Sequence, residues 1–185
     1  VGGNNSGEVA SRTAVSEIAH YVNNNDLQEF KEPDDIFGFF SEAIESANEK
    51  IYRLGIENED NRGMATTIVL AYIFKGVAYI ANLGDSRAYL FRDGMLSRIT
   101  KDHTYVNELI DKGVITEEEA ENHKQKNVIT KALGADKFVE PDFYRLEVSR
   151  DDILMLCSDG LYGEVSPENM AEILERDESM NDICT

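Results

Sequence analysis

Thr66-Thr67-Ile68-Val69-Leu70-Ala71-Tyr72-Ile73-Phe74-Lys75-Gly76-Val77-Ala78-Tyr79-Ile80-Ala81-Asn82 is the stretch that decides the fold. Residues 66–74 are rich in β-branched and aromatic side chains, Lys75-Gly76 is a turn pair, and residues 77–82 resume a strand. Further on, residues 88–91 and 95–99 flank Arg92-Asp93-Gly94, whose Asp-Gly step is a strong hairpin signal. The pattern predicts three or four neighbouring antiparallel strands, each burying one face.

Upstream the period changes from two to 3.6. Val9, Ala10, Ala14, Val15, Ile18, Ala19 and Val22 recur at helical spacing. A second helix is predicted over 35–54, where Ile36, Phe37, Phe40, Ala43, Ile44, Ala47, Ile51 and Leu54 form one stripe and Gly55 suits the C-cap. Downstream, residues 105–111 are helical, and Thr116 followed by Glu117, Glu118 and Glu119 reads as a capping box opening a short acidic helix. Residues 128–132 and 142–148 are short extended candidates, and residues 153–158 are the most apolar strand. Ser166-Pro167 places a cap before proline at the start of a helix reaching about 174. This order is not the strand–helix alternation of a parallel sheet; it predicts packed antiparallel sheets flanked by helices.

The chain has 185 residues, enough for one domain with its own core, and 42% of them are hydrophobic. Lys plus Arg number 18 against 36 Asp plus Glu, a formal net charge of −18. Nucleic acid and anionic lipid both need a basic footprint, so neither is expected as a partner. Cys157 and Cys184 make no disulfide framework; Cys157 lies in the apolar run Ile153-Leu154-Met155-Leu156-Cys157, where an inert, buried thiol is expected. No apolar run approaches the ~20 residues of a membrane span, and no signal peptide is visible, so a reducing, cytoplasmic setting is expected. The lack of an initiator Met and the stop at Thr185 read as a piece of a longer protein.

Two acids stand apart from the solvated remainder. Asp85 lies between two apolar strands in Leu83-Gly84-Asp85-Ser86-Arg87, and Asp159 follows the most apolar strand in Cys157-Ser158-Asp159-Gly160-Leu161. A carboxylate beside glycine at a strand end either hydrogen-bonds nearby backbone in a turn or offers a hard oxygen to a divalent cation. Both readings stand at this point. His20, His103 and His123 are scattered and pair with no second His or Cys, which disfavours zinc and leaves Mg²⁺ or Mn²⁺. His103 suits a local hydrogen bond, and Arg87 a structural ion pair. Gly2, Gly3 and Gly7 are followed by no Gly-Lys-Ser/Thr, and no Gly-x-Ser-x-Gly elbow is present.

Read in order, the motifs resemble the protein phosphatase type 2C (PPM) family in its compact bacterial form. Gly2-Gly3-Asn4-Asn5-Ser6-Gly7-Glu8-Val9-Ala10-Ser11 is similar to the end of its first metal motif, and Gly63-Met64-Ala65-Thr66-Thr67 to its Gly-Met-Gly-Thr-Thr, with Ala65 in place of glycine. Gly84-Asp85-Ser86-Arg87, Thr100 to Thr104, Val128 to Gly134, and Cys157-Ser158-Asp159-Gly160-Leu161 resemble the later motifs in family order.

The resemblance implies an α+β fold, a four-layer α-β-β-α sandwich of two antiparallel sheets flanked by helices, here missing terminal strands. It implies a single phosphatase catalytic domain over residues 1–185, with a flap at 103–127 beside the cleft. Asp159 would be a catalytic and metal-binding ligand of a core Mn²⁺ or Mg²⁺ pair, and Asp85 would serve a third ion shared with it. The reaction implied is hydrolysis of phosphoserine or phosphothreonine on proteins by a metal-activated water, without a phosphoenzyme. Partners implied are phosphorylated proteins, bacterial serine/threonine kinases among them.

The family's Asp-Gly pair is expected just before Val1, its phosphate-contacting arginine further upstream, and its terminal Asp-Asn-Ile-Thr motif beyond Asn181-Asp182-Ile183-Cys184-Thr185. At Val1 animal relatives carry a histidine and bacterial ones often Met. The chain alone is therefore expected to turn over little and to expose apolar surface. The alternative reading is a phosphatase-like regulator that binds phosphoproteins without hydrolysing them.

Overall fold

The computed structural model describes residues 6–25, 32–176 and 183. The readings placed on residues 1–5, Asp26, Cys184 and most of the last stretch lie outside the described residues. The chain opens with two helices, α1 (Gly7–Asn24) and α2 (Pro33–Glu57). Their partners are a three-stranded antiparallel sheet in the order β1 (Ile68–Phe74), β2 (Val77–Leu83) and β5 (Asp142–Glu147). A second three-stranded antiparallel sheet runs β4 (Met95–Arg98), β3 (Arg87–Arg92), β6 (Ile153–Cys157). Short helices α3 (Tyr105–Asp111), α4 (Glu117–Glu121), α5 (Asp159–Tyr162) and α6 (Pro167–Leu174) complete the described chain.

Small residues let α1 lie close to α2, with Ala10 and Ala14 both buried. The α2 stripe Ile36, Phe40, Ile44 and Ile51 shares one core with Tyr79, Ala81 and Leu83 on one face of the first sheet. Burial of each of the Ile, Leu and Phe side chains contributes roughly 1.5–3 kcal/mol. Phe37 adds an edge contact to Tyr79, with ring centroids 5.7 Å apart, and a tilted contact to Phe143 at 5.0 Å. Alternation turns Ala78, Ile80 and Asn82 to the opposite face of β2, and all three are fully buried there, under the second sheet. On the far side α6 packs on β4, burying Met170 and Leu174. The layers are therefore helix, sheet, sheet, helix: the α+β sandwich expected.

Both hairpins form as their sequences require. Lys75 and Gly76 (φ 49° and 76°) and Asp93 and Gly94 (φ 52° and 76°) adopt the left-handed pairs of tight two-residue turns. The Thr116 capping box and the Ser166 cap also form, their hydroxyls accepting from the Glu119 and Asn169 amides.

Four details depart from expectation. The strands do not make one neighbouring cluster, because β2 and β3, adjacent in sequence, belong to different sheets. β2 does not bury one face only; it lies between a helix layer and a sheet and is buried on both. Gly55 is not the C-cap of α2, which continues to Glu57 and is capped by Asn58. Residues 128–132 form no strand. They carry one isolated bridge, Thr104 to Ile129, with a second just beyond at Thr66 to Leu133, because they close the base of a loop instead of extending a sheet.

Candidate active site

Three residues, 84–86, carry the chain from β2 in one sheet to β3 in the other. So short a crossing forces a sharp backbone path, and Gly84 takes it at φ 115°. A Cβ on Gly84 would stand 2.3 Å from Thr67 Cγ2 and 2.7 Å from Thr67 Cβ, so only glycine fits. Ser86 and Thr67 share a hydroxyl–hydroxyl hydrogen bond of 2.8 Å across the same contact. The Gly84 N–H donates to His103 Nδ1 at 3.0 Å, and its carbonyl accepts from the His103 N–H at 2.9 Å. The Asn82 amide, fully buried, donates to the Gly84 and Lys101 carbonyls. Asp85 thus sits on a link clamped from both sides.

β6 brings the second acid to the same end. It pairs antiparallel with β3, and the last pair in the register is Arg87 with Cys157. Asp85 lies two residues before that pair on one side and Asp159, the first residue of α5, two residues after it on the other, so both stand at the same end of the sheet. Both line one open cleft of about 1440 Å³. Like charges held near one another are unfavourable, most of all where burial limits screening. Burial, then the nearby carboxylates of Asp159 and Asp102, push the Asp85 carboxyl above its usual range. Among the described residues neither Asp85 nor Asp159 is ion-paired to a lysine or arginine.

Arg87, two residues from Asp85, would be the natural neutralising partner, but it is taken elsewhere. Its Nε lies 3.0 and 3.1 Å from the two carboxylate oxygens of buried Asp102, and its Nη2 is 2.6 Å from Oδ2. Nη1 donates to the Tyr89 hydroxyl at 3.1 Å. The guanidinium stacks 3.4 Å over the Tyr162 ring, whose hydroxyl donates to the Asp85 carbonyl at 2.9 Å. Arg87 is the structural ion-pair partner expected, and it lines the cleft as well.

His103 has the local role expected of it. With Nδ1 accepting from Gly84, its proton sits on Nε2, which lies 3.2 Å from Asp142 Oδ2 but off the line of a hydrogen bond. Burial holds its pKa below the usual histidine value, Asp142 opposing. Cys157 is half-buried on β6, and burial raises its thiol pKa, consistent with an unreactive group.

Residues after His103 make the other wall of the cleft. The Thr104 hydroxyl caps α3, and Asn107 Nδ2 donates to the Asp102 carbonyl at 2.8 Å. The excursion leaves and returns through one doubled contact: Tyr105 N–H to the Val128 carbonyl at 2.8 Å, and Thr130 N–H to the His103 carbonyl at 2.9 Å. α3 and α4 pack on each other inside this closed loop, with Val106 and Ala120 buried.

Among the described residues no group of three or more His, Cys, Asp and Glu side chains converges to hold a metal. Asp85 and Asp159 fit a divalent ion in chemistry: both are hard oxygen donors, Asp159 is near enough to raise the Asp85 pKa, and among the described residues neither is ion-paired to a lysine or arginine. The structure brings both sequence-predicted acids to one cleft. Sequence reasoning assigned no role to Asp102, Asn82 or Tyr162. Asp102 and His103 were visible as part of a motif, but nothing local told which carboxylate would be buried under an arginine. Tyr162 left one signal only, its place a single helical turn after Asp159.

A two-sheet α+β sandwich with an acidic cleft at the lip of its strands is the class that fold and site define. Comparison with known proteins narrows it. The protein phosphatase 2C family model matches residues 1–182. A serine/threonine phosphatase stp of Listeria welshimeri is 35% identical over 182 residues, spanning 98% of this chain and 71% of that protein. The structure of the S. agalactiae serine/threonine phosphatase superposes with TM-score 0.91 at 36% identity, covering all of this chain and 74% of that one. The catalytic domain of the serine/threonine protein phosphatase PstP, solved in complex with two manganese ions, superposes with TM-score 0.76 at 34% identity over 92% of this chain and 69% of that one. The chain belongs to the protein phosphatase 2C family.

Proposed function

We propose that this chain carries part of the active site of a metal-dependent phosphatase that hydrolyses phosphoserine and phosphothreonine on proteins, with Asp85 and Asp159 as metal ligands. One observation carries the site assignment: two carboxylates, brought to the same end of the β3–β6 pair, share a cleft, and among the described residues neither is ion-paired to a lysine or arginine. The relatives named as serine/threonine phosphatases support the reaction, and the manganese-bound PstP domain supports the choice of Mn²⁺, with Mg²⁺ the other hard ion that fits. A divalent ion held there supplies charge neutralisation for a phosphoryl group and a lowered pKa for water.

The protein's own residues prepare that site. Hydrogen bonds on both sides of Gly84 fix the β2–β3 link, so the backbone that carries Asp85 does not need to be ordered when a ligand arrives. Asp102 holds Arg87 by its guanidinium edge, which keeps that cation from quenching Asp85. Residues 103–127, cinched at their base, act as a flap forming the second wall, where a phosphorylated segment would lie. Two carboxylates are a sparse donor set for ions that take six or more oxygens. The 185-residue chain by itself is therefore expected to turn over little, and the full activity to belong to the intact protein.

The test is a phosphopeptide assay on the intact protein before and after chelation by EDTA. Loss of turnover with EDTA, recovery with Mn²⁺, and loss of turnover in Asp159→Asn support the proposal. Full turnover in EDTA, or an Asp159→Asn variant with parental metal affinity and rate, would refute it. Phosphopeptide binding without turnover in the metal-loaded protein would show a regulator instead.

A further inference from the structure

The β3–β6 ladder stops at the Arg87–Cys157 pair, yet the two acids lie two residues beyond it. Past the last ladder bond, repulsion between Asp85 and Asp159 favours splaying of the strand ends. What spans that gap is Tyr162. It ends the single turn of α5 that Asp159 begins, and the turn is closed by the Gly163 N–H donating to the Asp159 carbonyl at 2.8 Å. From there the Tyr162 hydroxyl reaches across to donate to the Asp85 carbonyl at 2.9 Å. Among the described residues no other side-chain hydrogen bond joins α5 to the 84–86 link.

We propose that Tyr162 is a positioning residue for the carboxylate pair, setting the separation of Asp85 and Asp159 through its bond to the Asp85 backbone. The ring is itself fixed. Arg87 stacks on it at 3.4 Å while forked onto Asp102 and bonded to Tyr89, so the hydroxyl is held at the end of a braced, planar lever. Arg87 is thereby used twice, once to brace the lever and once by being kept away from Asp85. A pair already held at its working distance binds an ion without paying to bring like charges together. This inference rests on the reading of Asp85 and Asp159 as metal ligands.

The experiment is calorimetric titration of Mn²⁺ into the metal-free intact enzyme and its Tyr162→Phe variant, which keeps the stacked ring and deletes only the hydroxyl. Mn²⁺ affinity should fall about tenfold, the low end for loss of a group that orients a metal ligand. The melting temperature of the metal-free protein should stay within about 3 °C, as befits one partly exposed hydrogen bond. Turnover at saturating Mn²⁺ should recover toward the parent, so that the Mn²⁺ requirement shifts more than kcat. Unchanged affinity overturns the proposal, whether or not the melting temperature moves. So does a loss of affinity that appears only alongside gross loss of the fold. Asp85→Asn and Asp159→Asn separate the two readings: if neither weakens Mn²⁺ binding, the ligand assignment is wrong; if both do and Tyr162→Phe does not, only the positioning role fails.

Discussion

Asp102→Ala is the perturbation that most directly probes the architecture beneath the cleft. The Asp102 side chain is 7% exposed and that of Arg87 20%, and two guanidinium nitrogens meet the carboxylate at 2.6–3.1 Å. Removing the acid leaves a largely buried guanidinium without its counter-charge. Breaking such a pair from one side costs about 3–5 kcal/mol, most of it the stranded charge rather than the net worth of the pair. For a domain of this length, that converts to a fall in melting temperature of roughly 6–20 °C. Arg87→Leu removes the stranded charge, so the double variant should lose clearly less stability than the two single losses added together. Urea and thermal unfolding of the parent, both single variants and the double variant complete the cycle. A second readout follows from geometry. Released from Asp102, Arg87 has Asp85 as a nearby acceptor, so Mn²⁺ affinity should drop in Asp102→Ala and return in part when Arg87→Leu is added. An Asp102→Ala variant within 1 kcal/mol of the parent, or strictly additive single losses, would refute this reasoning.

Gly84→Ala should destabilise by about 2–4 kcal/mol, from strain at positive φ and a methyl driven into Thr67, and a urea midpoint unchanged from the parent would contradict it. Asn48→Ala strips the buried amide that receives the Gly134 N–H at 2.7 Å and donates to the Asp136 and Lys137 carbonyls; a loss of about 2–3 kcal/mol is expected by chemical denaturation. The Arg92 guanidinium and the Ser149 N–H hold the Asp152 carboxyl at about 2, below its ordinary 3.8. Because the folded value is the lower one, that stabilisation is complete above the unfolded pKa and is lost as pH falls from about 4 to 2. Asp152→Asn should therefore flatten the acid limb of a stability-against-pH curve, and an unchanged limb would show the clamp contributes nothing.

Local patterns were enough to specify most elements. Apolar spacing of 3.6 gave α2, alternation broken by Lys75-Gly76 and Asp93-Gly94 gave the two hairpins, and hydroxyls at Thr116 and Ser166 placed two helix starts. Each is decided by interactions within a few residues, so each can be read from a short window. Motif order placed the chain beside the type 2C phosphatases, and the match over residues 1–182 bears that out. Where reading failed, the deciding partner was distant. Residues 128–132 look extended, but their backbone groups are used up closing the base of the 103–127 excursion.

Sequence by itself marked Asp85 and Asp159 as unusual, because each stands beside glycine at the end of an apolar strand, and left open whether they were turn residues or ligands. Only the tertiary structure put them in one cleft. The three-residue crossing between sheets and the β3–β6 pairing, which joins residues as far apart as Arg87 and Cys157, bring both acids to one cleft. It alone decided, too, that Arg87 goes to Asp102 and not to Asp85. Which carboxylate captures a guanidinium depends on burial and on the fork's geometry in space, and neither is written in the spacing of residues along the chain.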